Sequence, residues 1–249
     1  MAIEYEVRDR IAYIAFCRPE KHNALRDEDL ADFIEAVAKL DQNESADIGI
    51  VHGQGPSFSS GADIAARLQR SLDEKTGSHR VNEVDAVLGS TICKPLIAAV
   101  HGYCLGHAMV TAFLCDHVIA ERGTKFQVTE TAIGIPAPTM WHQLGHGAFA
   151  NEVVMTGRFF TADEANRAGA LAKLVDDGTH LAAAEELARA ILQQPQSTIR
   201  ELVRIRRHVL ASTFRDLTSI ARPSDWATNA DSSRRIAEML ARVTHSKPA

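Results

Sequence analysis

Val100 to Ala120 reads V-H-G-Y-C-L-G-H-A-M-V-T-A-F-L-C-D-H-V-I-A, and the rest of the chain is organised around it. The apolar, β-rich run Leu96 to Val100 leads into a turn carrying Gly102 and Gly106. An apolar segment of helical length follows, then a second β-like run from His117 to Ala120. A strand that ends in a glycine turn and opens a helix makes backbone N–H groups available to a ligand. The first helical turn leaves those groups without internal partners, and the helix dipole adds positive potential there. Taken alone, the stretch reads equally well as a buried core helix with a tight entry turn. The surrounding chain decides between the two.

With 249 residues, 45% hydrophobic and 24% charged, the sequence has enough apolar material for a substantial core. The formal net charge is −5 and Lys and Arg are scattered, which argues against a nucleic-acid partner and a polybasic membrane patch. No apolar run approaches the ~20 residues that span a bilayer. The start, M-A-I-E-Y-E-V, lacks the basic and apolar regions of a secretory signal, so a cytoplasmic location is expected. Cys17, Cys93, Cys104 and Cys115 show no C-x-x-C pairing and read as small buried hydrophobes. The histidines form no H-E-x-x-H or clustered Cys/His spacing, so no metal site is expected.

Residues 3–7 and 11–17 read as a β-hairpin around R-D-R. Pro19 opens the polar loop C-R-P-E-K-H-N-A-L. Leu30, Phe33, Ile34, Val37 and Leu40 then fall at helical spacing, predicting a helix from about Asp27 to Asp41. Ile48 to His52 is a short buried strand. F-S-S-G-A-D-I, residues 58–64, is a second glycine turn opening a short helix, with Ala62 and Asp63 expected in its first turn. Residues 70–82 read as a surface loop and 81–91 as a helix. K-F-Q-V-T-E over 125–130 predicts a strand and then a loop carrying Glu130. Thr161-Ala162-Asp163-Glu164 is a capping box and Gly169 a helix stop. Leu171 to Val175 is a last strand, and 179–194, 196–211 and 227–243 are expected helices. Strands alternating with helices argue a largely parallel α/β sheet with a helical C-terminal part.

Two glycine turns, F-S-S-G-A-D and G-Y-C-L-G-H, each follow a strand and open a helix. Side by side, they would aim two backbone N–H groups at one oxygen, a main-chain oxyanion hole suited to a carbonyl becoming an enolate. Phosphate-binding glycine loops and a G-x-S-x-G nucleophile elbow are both absent.

R-P-E-K-H-N-A-L, F-S-S-G-A-D-I, K-P-L-I-A-A-V-H-G-Y-C-L-G, C-D-H-V-I-A and T-G-R-F-F-T-A-D-E-A-N-R-A-G-A-L occur in order. Together they resemble the crotonase superfamily, the enoyl-CoA hydratases and isomerases, over about residues 3–195. The resemblance implies an α/β spiral of ββα units over 1–195 carrying an acyl-CoA site. It also implies a C-terminal helical oligomerisation region over 196–249, giving a homotrimer or a hexamer built as a dimer of trimers. The substrate would be carried as a coenzyme A thioester, with no permanently bound cofactor. Its oxygen would be held by the amides of Ala62 and His107. Lys21, His22, Ala24 and Leu25, with Ser60, Asp63 and Ile64, would receive the adenine, phosphates and pantetheine arm. Tyr103, Leu105 and Gly106 would line the same site.

A typical hydratase reads G-x-x-L-G-G-G-x-E in this turn, whereas here the sequence is G-Y-C-L-G-H-A-M-V. The first catalytic Glu would lie at position 110, where Val110 stands; the second falls on Glu130. Adding water across an enoyl bond is easiest with two carboxylates, and one positioned acid/base contributes ~10²–10⁴-fold. Moving a double bond needs one carboxylate and the oxyanion hole, so the expected enzyme is isomerase-like. The alternatives are a hydratase using His107 or a water in place of the missing Glu, and a catalytically weak CoA-thioester binder. Family members that cleave cyclic diketones with histidines do not need the thioester segment F-S-S-G-A-D-I, which is present here. Asp116 is expected to hold backbone groups, and His142 and His146 to lie at the surface or pocket rim. Lys21 and Arg67 are expected to be solvated charges that could meet phosphates.

Overall fold

The computed structural model of the protein describes residues 2–64, 66, 92–134 and 137–220, together with 234, 235, 237 and 238. Ile3–Arg8 (β1) and Ile11–Phe16 (β2) form the expected antiparallel hairpin. Asp9 and Arg10 make its turn at φ 50° and 66°, the left-handed conformation that two-residue hairpin loops favour. Asp27–Gln42 (α1) follows, burying Leu30, Phe33, Val37 and Leu40 as the spacing predicts.

From there the chain distributes its strands between two layers. Ile48–Gly53 (β3), Leu96–Val100 (β4) and His117–Glu121 (β6) join β2. Tyr103–Leu105 (β5), Lys125–Gln127 (β7) and Phe159–Thr161 (β8) build a second sheet, and Lys173–Val175 (β9) returns to the first. The larger sheet runs β1-β2-β3-β4-β6-β9 and is parallel from β2 onward; the smaller runs β5-β7-β8. Parallel bridges Ser59–Cys104 and Leu25–Ala62 extend the smaller layer toward earlier parts of the chain. This is the ββα spiral expected of the sequence.

Alternation along the larger sheet divides the core. Val51, Leu96, Ala98, Val100, Val118 and Ala120 face one way, into the main core. Ile48, Ile50, Ile97, Ala99 and Ile119 face the other, under the helix His180–Leu192 (α6). Both faces are covered, so these strands read as continuous apolar runs. The remaining helices are His107–Leu114 (α2), Pro138–Gln143 (α3), Ala148–Thr156 (α4), Ala162–Arg167 (α5) and, after α6, Gln196–Ile220 (α7). The capping box at the start of α5 is present, with the Glu164 N–H donating to Thr161 Oγ1 and the Thr161 N–H to Glu164.

The structure corrects three boundaries. Helix α7 runs nine residues past position 211, because Leu210 and Phe214 continue its buried stripe. The last strand begins at Lys173 rather than Leu171; the Ala172 N–H is already bonded to the Val118 carbonyl at 2.8 Å. Ala62 and Asp63 precede the helix rather than lying in its first turn. Asp63 Oδ1 accepts the Ala66 N–H at 3.2 Å, so Asp63 caps, and Ala62 is extended. The loop expected over 70–82 and the helix over 81–91 lie outside the described residues, as does Arg67. Of the helix expected over 227–243, positions 234, 235, 237 and 238 are described, all helical.

Asp116 is the backbone anchor the sequence suggests. Its Oδ2 accepts the Leu96 N–H at 2.8 Å and the Arg207 guanidinium at 2.9 Å. Arg207, buried on α7, also donates to the carbonyls of Ile92 and Lys94, which ties the helix to the entrance of β4. Cys104 and Cys115 are buried, and burial pushes both thiols up, Cys115 to about 12. Cys17 and Cys93 are half-buried.

Candidate active site

The two glycine turns meet. A Cβ on Gly61 would stand 2.5 Å from the Leu105 carbonyl oxygen and 3.5 Å from the His107 nitrogen. Only a glycine at φ +87° lets these segments approach so closely. Ser59 knits them further, its N–H donating to the Tyr103 carbonyl and its own carbonyl accepting the Leu105 N–H.

Each of the two amides has a fixed direction. In a trans peptide the C=O and the following N–H point in opposite directions, and no cis bond is present among the described residues. The Gly61 carbonyl accepts the Leu25 N–H at 2.8 Å, so the Ala62 N–H points away from Leu25. The Gly106 carbonyl accepts the Val110 N–H at 3.1 Å, so the His107 N–H points back out of the N-terminus of α2. Helix dipole and peptide geometry therefore act together at His107.

Glu130 sits over this second turn. A Cβ on Gly106 would lie 3.4 Å from Glu130 Oε1 and only 2.2 Å from Thr129 Oγ1. The Glu130 loop is pinned on both sides, by Gln127 Nε2 on the Gly157 carbonyl and Thr131 Oγ1 on the Val154 carbonyl, each at 2.7 Å. Glu130 Oε2 and His107 Nε2 are buried atoms. Val110, one turn into α2, is half-buried against the main core.

The other expected residues gather along the same seam. The Lys21–Leu25 loop is bound to the Ser60–Ile64 segment: the Ser60 N–H donates to the His22 carbonyl and the Asp63 N–H to the Leu25 carbonyl, both at 2.8 Å. Lys21 is exposed, Ala24 half-buried and Leu25 buried; Ile64 is helical and half-buried. His22 packs edge-on against Tyr103, ring centres 5.6 Å apart, on the outer side of the smaller sheet. The Leu105 carbonyl lies against Gly61, and Gly106 lies against Thr129 and Glu130. His142 is half-buried with its ring against Phe214, and His146 is exposed, its ring 5.1 Å from that of His142.

Sequence reasoning missed Arg18. Its guanidinium donates to the Ala24 carbonyl at 2.7 Å, to Asp29 Oδ2 at 3.2 Å and to Asp63 Oδ2 at 3.3 Å. It also missed Asn23, whose side chain accepts the Arg18 N–H and donates to the carbonyls of Gln54 and Ser57. His22 and Asn23 both have positive φ, 48° and 54°, a pairing that local hydrogen bonding must sustain. The adjacent R-P and H-N dipeptides were the available signals. Among the described residues no helix is long and apolar enough to cross a membrane, and no group of three or more His, Cys, Asp or Glu is placed to hold a metal ion.

The turns carrying the Ala62 and His107 amides lie against each other, with Glu130 beside the second, on the two-layer ββα spiral of the crotonase fold. The sequence comparison then makes the assignment: the family described as enoyl-CoA hydratase/isomerase matches residues 6–222, and the chain belongs to it, a family of enzymes acting on CoA thioesters. The chain is 32% identical over 194 residues to a probable peroxisomal enoyl-CoA hydratase of Arabidopsis thaliana, covering 76% of this chain and 72% of that one. It is 30% identical over 201 residues to a crotonyl-CoA hydratase of Syntrophomonas wolfei, covering 78% and 77%. The crystal structure of an enoyl-CoA hydratase/isomerase from Pseudoalteromonas atlantica superposes with a TM-score of 0.85 at 20% identity, covering 97% of this chain and 98% of that one. That last likeness concerns the fold.

Proposed function

We propose that the protein shifts the double bond of an enoyl-CoA thioester, with Glu130 as the single acid/base, and hydrates such substrates poorly. The thioester oxygen accepts the N–H groups of Ala62 and His107. Glu130 takes a proton from C2, the two amides hold the dienolate oxygen, and the proton returns at C4. The nucleotide and pantetheine arm lie along Lys21, His22, Ala24, Leu25, Ser60, Asp63, Ile64, Tyr103, Leu105 and Gly106. Main-chain amides activate the carbonyl, so the reaction needs no resident cofactor.

The observation that carries this reading is Glu130 Oε1 beside Gly106, with Val110 one turn along α2 from that glycine. A water held by one carboxylate lacks its second proton-transfer partner. Glu130→Gln is expected to lower turnover of a 3-enoyl-CoA by ~10²–10⁴-fold, measured by absorbance of the conjugated product. Unchanged turnover would sink the reading. The buried imidazole nitrogen of His107 supports a second one, a hydratase with His107 in place of the first carboxylate. Robust hydration of crotonyl-CoA that vanishes in His107→Ala would favour it. Tight acyl-CoA binding without turnover of any enoyl substrate would instead identify a CoA-thioester binder.

The assembly we propose is a trimer, or a dimer of trimers, formed through the C-terminal helices. Leu202, Ile205 and Val209 lie at helical spacing on α7 and are 58%, 50% and 55% exposed. Light scattering is expected to give a mass of three or six chains; a monomer would overturn the assignment.

A further inference from the structure

Arg18 stands at the far end of a line of hydrogen bonds that terminates in the Ala62 N–H. Its Nη1 donates to the Ala24 carbonyl at 2.7 Å. The other side of that same peptide is the Leu25 N–H, which donates to the Gly61 carbonyl at 2.8 Å. The other side of the Gly61 peptide is the Ala62 N–H. Both peptides are trans, so their dipoles point the same way along the line. Successive hydrogen bonds polarise one another, and a cation at the carbonyl end makes the terminal N–H a better donor.

We propose that Arg18 is a positioning residue for the reaction, acting on the substrate carbonyl through the Ala24–Leu25 and Gly61–Ala62 peptides. The inference rests on the oxyanion reading of Ala62. Arg18 is fixed where it must be: the carboxylates of Asp29 and Asp63 flank the guanidinium at 3.2 and 3.3 Å, and its own N–H is bonded to Asn23 Oδ1 at 2.8 Å. Those carboxylates offset part of its charge, so the effect combines orientation with residual polarisation. The line is also braced laterally. The Ser59 hydroxyl donates to the Asn23 carbonyl at 2.7 Å and accepts the Gly61 N–H at 3.1 Å, both bonds buried. The Asp63 N–H returns to the Leu25 carbonyl at 2.8 Å, so Ala62 is held on both flanks. Asp29 keeps a bidentate partner in Arg26 when Arg18 is replaced, so the substitution does not leave its charge alone in the core.

The test pairs kinetics with the carbonyl stretch of bound butanoyl-CoA, isotope-labelled at the thioester carbon, read by infrared difference spectroscopy. Arg18→Gln is expected to lower kcat for a 3-enoyl-CoA by roughly 10–10²-fold. KM should move less than about threefold, and the downshift of the carbonyl stretch should shrink. Arg18→Lys, which restores a cationic donor to Ala24, should recover part of both. An unchanged kcat, or a lowered kcat with the full carbonyl shift retained, would overturn the relay. The Lys variant alone suffices if the Gln variant does not fold: a lowered kcat at the unaltered frequency overturns it equally. Glu130→Gln separates the two ideas. If that variant loses turnover while Arg18→Gln does not, only the relay fails; if the unaltered protein binds butanoyl-CoA with no carbonyl shift, the oxyanion reading fails and the relay with it.

Discussion

Ala62 and His107 present the same chemical group, a main-chain N–H, yet the two are aimed by different means. His107 is the first residue of a helix. The Gly106 carbonyl is drawn along that helix by the Val110 N–H, and α2 supplies both direction and dipole. Ala62 lies on a short extended segment, and its direction comes from Leu25, Ser59 and, at a distance, Arg18. One donor is organised by regular secondary structure and the other by side chains bridging two loops. The helical donor is therefore sensitive to backbone space, and the loop donor to individual polar side chains.

Gly106→Ala breaks the comparison on the helical side. At φ 50° with Thr129 Oγ1 only 2.2 Å from the new methyl, the turn has to move. Loss of one oxyanion donor costs about 10²–10³ in kcat, and steady-state kinetics should show at least that, with the C-terminal half still folded by circular dichroism. Arg18→Gln, on the loop side, is expected to cost less, because it leaves the donor in place and only loosens its aim. A larger loss in Arg18→Gln than in Gly106→Ala would reverse the distinction.

The smallest effect concerns pH and belongs to the loop side. His101 holds the turn that leads into Ser59: its carbonyl accepts the Phe58 N–H, and Nε2 lies 2.8 Å from the Gly55 carbonyl oxygen. Its ring stacks on His180, centroids 4.3 Å apart, which in turn meets the Glu121 carboxylate. Burial, aided by neighbouring imidazoles, holds His180 and His52 below the ordinary histidine value. Below about pH 6.5 the unfolded chain then binds more protons than the native one, so stability is full above that value and falls as the pH drops. Thermal midpoints should decline between about pH 7 and about pH 5, with the Phe58 amide losing hydrogen-exchange protection before that of Val110. A flat profile, or the opposite order, would remove the link.

Much of the proposed site was legible because the chemistry assigned to it lies in the backbone, and backbone requirements leave glycines behind. Gly61 and Gly106 marked both turns, and the structure sets Glu130 Oε1 beside Gly106. The layers of the fold followed from short apolar strands separated by helical spacings. Arg18 escaped because its role depends on which carbonyl its guanidinium meets, and nothing in R-P-E-K-H-N-A-L states that Ala24 and Gly61 lie in line. Asn23 was hidden for a similar reason: its left-handed φ is visible only once the loop is closed on Gln54 and Ser57. The extended state of Ala62 was missed because an acidic residue after a glycine turn suits a helix cap and a first turn alike.

The Ser59–Cys104 bridge pairs the two segments that lead into the turns carrying the Ala62 and His107 amides. Neighbouring strands stand about 4.8 Å apart. Two N–H donors, each about 2.9 Å from a shared oxygen and splayed at a tetrahedral angle, are separated by roughly 4.7 Å. On the proposed reading, the strand pairing that leads into the two turns sets them near the spacing one oxygen needs, through hydrogen-bond pitch rather than side-chain identity. With Ala62 and His107 holding the thioester oxygen as proposed, a sequence that preserves this pairing keeps that grip whatever side chains stand at positions 107 and 110. On that proposal, valine at position 110 in place of a carboxylate retunes the chemistry and leaves the backbone pairing untouched.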